Sequence, residues 1–257
     1  MGQGDAYFVD VEVPEAVLLD TTPAPPRSRS PVQCGAVWYR GGHTTSVITE
    51  WTPEEGLGVV AYPVKPNATG AKRHPEGSIA FTAATNTGLV AEGALSETRQ
   101  FTCAVRFDSP KGEARTLVTI NPSDADNYLF LNEKEGELTW QDQKGSVAVA
   151  IPSPPTPAWV VVGYEAGRLS IAAASEDRPL GAPVASTGNN PRLDTDLSGS
   201  SDLFIGCRSH RKGILKTLGT SRIMDVLLWS DSFVLTPGAA AELNAVCRHA
   251  ETEGAPE

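Results

Sequence analysis

The chain carries little positive charge. Its 21 Lys and Arg residues are outnumbered by 31 Asp and Glu residues, which gives a formal net charge of −10. Because phosphate binding needs concentrated Lys and Arg, this balance excludes nucleic acid as a main partner. The basic residues that do cluster, Arg208, Arg211 and Lys212, lie in the short segment CRSHRKG.

Cysteine is also scarce. The four cysteines are far apart and form no C-x-x-C pair: Cys34, Cys103, Cys207 and Cys247. Without that spacing, neither a zinc site nor a redox-active dithiol is indicated. A free cysteine in a strand behaves as a small apolar residue, so we predict four buried thiols rather than two disulfides.

Long apolar runs are absent as well. No stretch approaches the ~18 apolar residues of a membrane span, so we expect no membrane insertion. The first residues, MGQGDAYFVDVEVPE, are acidic and contain no apolar run preceded by positive charge, which argues against a signal peptide. We therefore expect a cytoplasmic protein, or a component of a virion or extracellular particle that assembles in the cytoplasm.

Short strands make up most of what is present. In FTCAVRF (101–107), the residues Phe, Cys, Val and Phe alternate with Thr, Ala and Arg, and AWVVVGYE (158–165) with GRLSIAAAS (167–175) predicts a hairpin. Strands that recur every eight to twelve residues or so indicate an all-β, antiparallel jelly-roll sandwich. A single short helix is predicted near the C-terminus, where Thr236 is a good N-cap and Pro237 suits the first helical position.

The strand pattern is less regular before residue 77. The segment TTPAPPRSRSP (21–31) is rich in Pro and Ser, as in a linker or a strap across a surface. We predict a β-rich N-terminal extension over residues 1–76, able to dock onto neighbouring subunits, followed by a jelly-roll domain over residues 77–257.

Four segments of this second part resemble the concanavalin A-like lectin and glucanase superfamily, in particular its laminin G-like or pentraxin-like branch. They are FTCAVRF, the run from TLVTI to NYLFLNEKEGELTW, the hairpin AWVVVGYEAGRLSIAAAS, and the closing unit from DLFIGC to SRIMDVLLW. The resemblance covers about residues 77–250. It implies a sandwich fold, and it leaves the ligand open, because the branch includes lectins, adhesion modules, hydrolases and viral structural proteins.

Sugar binding calls for an exposed aromatic side chain with polar groups nearby. Trp140, beside Gln141 and Asp142, is the preferred platform, and Trp51 is the second candidate. Arg208, Arg211 and Lys212 could contact an acidic glycan or an acidic neighbour. For each tryptophan the alternative is a place in the core, and for the basic segment it is a solvated hairpin tip.

A calcium site is a further hypothesis. The segment DTDLSG spaces Asp194, Asp196 and Ser198 as alternate oxygen donors, as at the start of a calcium loop, and relatives in the resembled branch often hold calcium at a loop edge. The alternative is an ordinary turn built from the polar residues that turns prefer.

The expected function is therefore a non-enzymatic carbohydrate-binding or adhesion module, with surface polysaccharide and neighbouring subunits as partners. It could belong to a phage-like particle or surface spike. A purely structural virion protein is the alternative. A glycan hydrolase or lyase is disfavoured, because the E-x-D-x-x-E strand of glycosidases in this superfamily is missing.

Overall fold

The computed structural model describes residues 29–41, 46–66, 71–73, 77–110, 114–210 and 219–253. Its strands are β1 (Val37–Arg40), β2 (Ser46–Val47), β3 (Tyr62–Pro63), β4 (Lys72–Arg73), β5 (Ile79–Ala80), β6 (Leu89–Ser96), β7 (Gln100–Asp108), β8 (Ala114–Pro122), β9 (Leu129–Lys134), β10 (Glu137–Asp142), β11 (Ala148–Pro152), β12 (Ala158–Glu165), β13 (Arg168–Ser175), β14 (Val184–Ala185), β15 (Ser200–Ile205) and β16 (Arg222–Trp229). Its helices are α1 (Arg192–Asp196) and α2 (Ala240–Glu253).

These strands form two antiparallel sheets. The nine-stranded sheet has the order β14-β13-β12-β7-β16-β5-β4-β2, and β1 adds to β16. The seven-stranded sheet has the order β11-β10-β9-β8-β15-β6-β3. The predicted all-β antiparallel sandwich with a C-terminal helix is confirmed. Within the described residues, no helix is both long and apolar enough to cross a membrane.

The main core lies between the two sheets. On β7 the predicted alternation is confirmed, since Phe101, Cys103, Val105 and Phe107 are buried in that core. Every second side chain of a strand points to the same face. The inward side chains of the seven-stranded sheet therefore pack against these four residues of β7.

A second apolar cluster covers the outer face of the nine-stranded sheet. There Trp159 and Leu227 pack with Leu243, Val246 and Cys247 of α2. All four cysteines are free thiols, as predicted; Cys103, Cys207 and Cys247 are buried, whereas Cys34 is only partly buried.

Residues before position 77 contribute to both sheets. β1 pairs along β16, and β3 pairs along β6. Trp38 is buried in the outer cluster, and Trp51 is buried in the main core. The division into a 1–76 extension and a 77–257 domain stays a prediction.

A carboxylate is buried in the outer cluster. Asp225 on β16 accepts a hydrogen bond from Trp38 Nε1 at 3.0 Å, and Arg106 Nη1 lies 3.6 Å from its other oxygen. Burial raises the pKa of Asp225 to about 6, although the Trp38 hydrogen bond and Arg106 oppose the shift. The folded protein therefore holds a costly charge at neutral pH.

Replacing Asp225 by Asn should stabilise the protein at pH 8 by up to about 3 kcal/mol. A raised carboxyl pKa contributes stability below its unfolded value, and this contribution is lost as pH rises through about 6. The advantage of the variant should therefore shrink as pH falls from 8 to 5. Urea unfolding at pH 8 and pH 5 gives the difference in the free energy of unfolding between the variant and the unmodified chain. Asp177→Asn, in an exposed turn, is the control. An equal difference in stability at both pH values would contradict the raised pKa of Asp225.

Candidate functional site

Alternation gives the seven-stranded sheet two chemically different faces. On β9, Leu129 and Leu131 point into the core between the sheets. Phe130 and Asn132 therefore take the opposite face, which we call the open face. The apolar cluster on this side has four members in the described part of the chain: Val64, Val90, Phe204 and Cys207.

One register row crosses six strands of the open face. The Cα partners run in order through Tyr62, Val90, Phe204, Thr119, Phe130 and Gln141. Tyr62 at one end is 52% exposed and Gln141 at the other end is partly exposed, whereas the four residues between them are buried. Aromatic rings and hydrogen-bonding groups thus lie along one line across the sheet.

Arg208 lies flat against this row. Its guanidinium carbon is 3.8 Å from the centroid of the Phe130 ring, and its Nε donates to Thr116 Oγ1 at 2.9 Å. Burial lowers the pKa of Arg208, and interaction with Tyr128 opposes the shift. The Tyr128 ring lies 5.8 Å from the Phe130 ring. Together Arg208, Phe130 and Tyr128 form a planar, cationic platform, which we call the arginine platform.

Two carboxylates lie on the open face on neighbouring strands. Glu92 is on β6 and Asp202 on β15, next to the register shift between these strands. Asp202 Oδ1 accepts a hydrogen bond from the Gly93 N–H at 2.8 Å. His210 Nδ1 accepts from the Lys65 N–H at 3.1 Å, and its Nε2 lies 3.8 Å from Glu92 Oε1.

The predicted tryptophan platforms are wrong, because both side chains are buried. Trp140 takes an inward position on β10, donates to the Gly163 carbonyl oxygen at 3.1 Å, and meets Phe101 edge-on. Trp51 packs against Tyr39 and donates to a backbone carbonyl oxygen at 2.7 Å. The polar residues that follow Trp140 do not change the direction of its own side chain.

The basic segment divides into a part that the structure describes and a part that it does not. Arg208 lies on the open face, as described above. Arg211 and Lys212 lie outside the described residues. Whether all three contact one ligand stays a prediction.

The predicted calcium loop is not a loop. Asp194 and Asp196 are part of α1, and Ser198 Oγ donates to the Thr195 carbonyl oxygen. Tyr164 donates to Asp194, while Asn127 donates to Asp196 at 3.3 Å. Among the described residues, no group of three or more His, Cys, Asp or Glu side chains could hold a metal ion. Calcium binding by these three residues stays a prediction.

Sequence reasoning missed Glu92, Asp202 and Tyr128. For Tyr128 the sequence held a usable signal. Tyr128 and Phe130 alternate with Leu129 and Leu131, which point inward, so the two aromatic residues should share the outer face. For Glu92 and Asp202 there was none, because their proximity depends on the pairing of β6 with β15, more than a hundred residues apart.

Comparison with known proteins finds this β-sandwich fold in several solved structures. The sialidase of Trypanosoma rangeli, solved with sialic acid, matches 87% of this chain at 18% identity with a TM-score of 0.57. An arabinofuranosidase, solved with arabinofuranosyl-xylobiose, matches 80% of it at 12% identity with a TM-score of 0.52. Domains LG4-5 of the mouse laminin α1 chain match 60% at 15% identity with a TM-score of 0.43.

These likenesses confirm the β-sandwich fold, while membership of the concanavalin A-like superfamily and of its branch stays a prediction. This chain spans 34% of the sialidase and 52% of the arabinofuranosidase. No protein-family model matches the chain. No curated protein matches its sequence.

The expectation of a non-enzymatic adhesion or structural module is wrong. Sialidases and an arabinofuranosidase, which are glycosidases, share the fold with TM-scores above 0.5.

Proposed function

We propose that this chain is a glycan-processing domain in which the open face holds the sugar chain. The observation that carries the proposal is the row of aromatic and hydrogen-bonding side chains with Arg208 stacked on Phe130. Sugar rings present apolar C–H faces to flat side chains such as Tyr62, while their hydroxyl groups need polar partners such as Gln141. The carbohydrate-acting neighbours support the same class of ligand.

The arginine platform favours sugars that carry a carboxylate. Arg208 keeps its guanidinium plane fixed through Phe130 and Thr116. A planar guanidinium with donors still available can bind a carboxylate in a bidentate manner. Acidic sugars should therefore bind the platform better than neutral sugars of the same size.

Glu92 and Asp202 are the carboxylates proposed for bond cleavage. Hydrolysis of a glycosidic bond uses one carboxyl group as proton donor and a second as nucleophile or base. Asp202 is fixed by the Gly93 N–H, which suits the nucleophile or base. Glu92 lies beside His210 at the exposed edge and is the proposed proton donor.

The test of cleavage is product release from a panel of 4-nitrophenyl glycosides and polysaccharides, including arabinosides and sialosides. Glu92→Gln and Asp202→Asn should each lower the rate by roughly 10²–10⁴-fold. Glu176→Gln, at an exposed position after β13, is the control and should leave the rate unchanged. Rates unaffected by both carboxylate variants would contradict these roles.

Binding is tested separately through Arg208. Arg208→Ala should weaken binding of an acidic oligosaccharide about tenfold or more, because a charged hydrogen bond contributes roughly 1.5–3 kcal/mol. Arg208→Lys should recover only part of it, because Lys lacks the planar fork. Calorimetry with acidic and neutral oligosaccharides measures both. An equal loss of affinity for the acidic and the neutral oligosaccharide would show that the platform does not recognise the carboxylate.

A further inference from the structure

The seven-stranded sheet ends in an edge strand, β11. This strand is five residues long, and among the described strands it pairs only with β10. The other terminal strands of the two sheets, β2, β3 and β14, have two residues each. Proteins commonly keep edge strands very short or charged, because an unpaired edge is a template for another strand. The sequence of β11, AVAIP, contains no charged side chain, so this edge lacks that protection.

The hydrogen bonds at the two ends of β11 show which of its backbone groups point outward. The Val147 carbonyl oxygen accepts from the Asp142 N–H at 3.1 Å, and the Ser153 N–H donates to the Gly136 carbonyl oxygen at 2.8 Å. Because bonding positions alternate along an antiparallel pair, the odd-numbered residues between these two points also bond to β10. The even-numbered residues of β11 therefore direct their N–H and carbonyl groups away from the sheet.

The outer edge consists of Ala148, Ala150 and Pro152, and all three residues are exposed. Ala148 and Ala150 supply outward N–H donors, and all three supply outward carbonyl oxygens. Within the described chain, no residue bonds to these outward groups. The edge therefore has the donors and acceptors that a further strand would use.

The apolar interior is also incompletely covered on this side of the sandwich. Val149 points into the main core, and Ile151 packs against that core but is only partly buried. Val184 on β14, close to β11, is the register partner of the core residue Ile171 and so shares its inward face. It is nevertheless 47% exposed. A strand added next to β11 would extend the cover over these side chains.

We propose that β11 pairs with β11 of a second copy of this chain, antiparallel and about a two-fold axis at Ala150. In this register Ala150 exchanges both backbone hydrogen bonds with Ala150 of the second copy. The Ala148 N–H donates to the Pro152 carbonyl oxygen of the other copy, in both directions. Because Pro152 has no N–H, only the Ala148 carbonyl oxygen is left without a strand partner.

The side chains of β11 suit pairing with themselves. On the inward face Val149 would lie opposite Ile151 of the second copy, so two apolar side chains would meet there. On the open face the small Ala150 side chains would lie side by side. Glu137 on β10 would share its row with Gln141 of the second copy, so this row brings no like charges together.

The pairing has a consequence for the open face. A two-fold axis perpendicular to the sheet places both open faces on the same side of one continuous sheet. The two copies of β9, which carry Phe130, would then be five strand spacings apart, about 24 Å. One glycan chain could contact both arginine platforms, which would raise its apparent affinity. This consequence rests on the proposed function, whereas the pairing of β11 does not.

The first experiment is analytical ultracentrifugation of the full chain over a wide range of concentrations, without glycan. We expect a reversible dimer. Ala150→Pro should weaken association roughly tenfold or more, because it removes an outward N–H that the single chain does not use. Ala150→Lys should do the same, because it places like charges directly opposite each other. Thr139→Lys, one strand further in on β10, is the matched control and should leave the dimer unchanged.

A second experiment tests the register by cross-linking. Residues that exchange both hydrogen bonds across an antiparallel pair have Cα atoms about 5.5 Å apart, within reach of a disulfide. Ala150→Cys should therefore form a covalent dimer on mild oxidation. Ala148→Cys should not, because the two copies of this residue would be about 14 Å apart along the strands. The unmodified chain, whose Cys34 is partly buried, gives the background.

A chain that stays monomeric at every concentration would overturn the proposal. So would a dimer that both Ala150 substitutions leave unchanged, because its interface would then lie elsewhere. Equal cross-linking of the two cysteine variants would overturn the two-fold axis at Ala150. Since none of these measurements includes a glycan, failure of the dimer and failure of the proposed function can be told apart.

Discussion

A shortened chain that begins at residue 77 should fail to form the sandwich. It would lose β1 from the side of β16 and β3 from the side of β6. It would also lose three buried aromatic side chains, Trp38, Tyr39 and Trp51. The surfaces that these residues cover on both sheets would become exposed to water.

The expected loss is large compared with the stability of a typical domain. Aromatic side chains bury roughly 150–250 Å² each, which corresponds to about 4–6 kcal/mol apiece at about 25 cal/mol per Å². Net stabilities of domains are only about 5–15 kcal/mol. Near-ultraviolet circular dichroism and thermal melting of the shortened chain measure the outcome, with aggregation or loss of a cooperative melt as the expected result.

The control is a chain that begins at residue 29. This shorter deletion keeps every contact described above, so comparison with it isolates the effect of removing residues 29–76. A stable, cooperatively melting 77–257 fragment would instead establish the predicted division at residue 76 and make the earlier strands an accessory.

Trp140→Ala should destabilise the protein by about 3–5 kcal/mol, the usual cost of removing a large aromatic side chain from a core. The change would leave a cavity beside Phe101 and remove the hydrogen bond to the Gly163 carbonyl oxygen. Chemical denaturation gives the free energy of unfolding. The same variant should leave sugar binding at the open face intact wherever the protein is folded, because Trp140 points to the opposite side of the sheet.

A matched variant, Trp140→Phe, separates packing from hydrogen bonding. It keeps most of the ring and loses the donor to Gly163, so its cost should be clearly smaller than that of Ala. If Trp140→Ala were neutral for stability but abolished sugar binding, the tryptophan would return to the ligand site.

The fold could be predicted because alternation is a local property. Phe101, Cys103 and their neighbours showed which face of β7 is buried, and Thr236 with Pro237 indicated the start of the C-terminal helical segment. The strands before residue 77 were harder to place. β2, β3 and β4 are two residues long, and only their pairing with distant strands defines them.

The site could be predicted only in part, because it depends on which strands become neighbours. Arg208 was identified from its basic segment, but its ring partner Phe130 is 78 positions away in sequence. Trp140 was misplaced because its polar followers were given more weight than its phase relative to Leu138. DTDLSG was misread because its composition suits a turn and a short helix equally well.

The packing of β1 and α2 over the outer cluster also distinguishes one side of the molecule from the other. Arg40 at the end of β1 contacts Glu253 at the end of α2, and the Trp229 indole donates to the Cys34 carbonyl oxygen. β1 and α2 therefore lie together on the side of the sandwich that faces away from Arg208. A bead or a surface coupled to an exposed side chain of α2 would leave the arginine platform turned towards the solution.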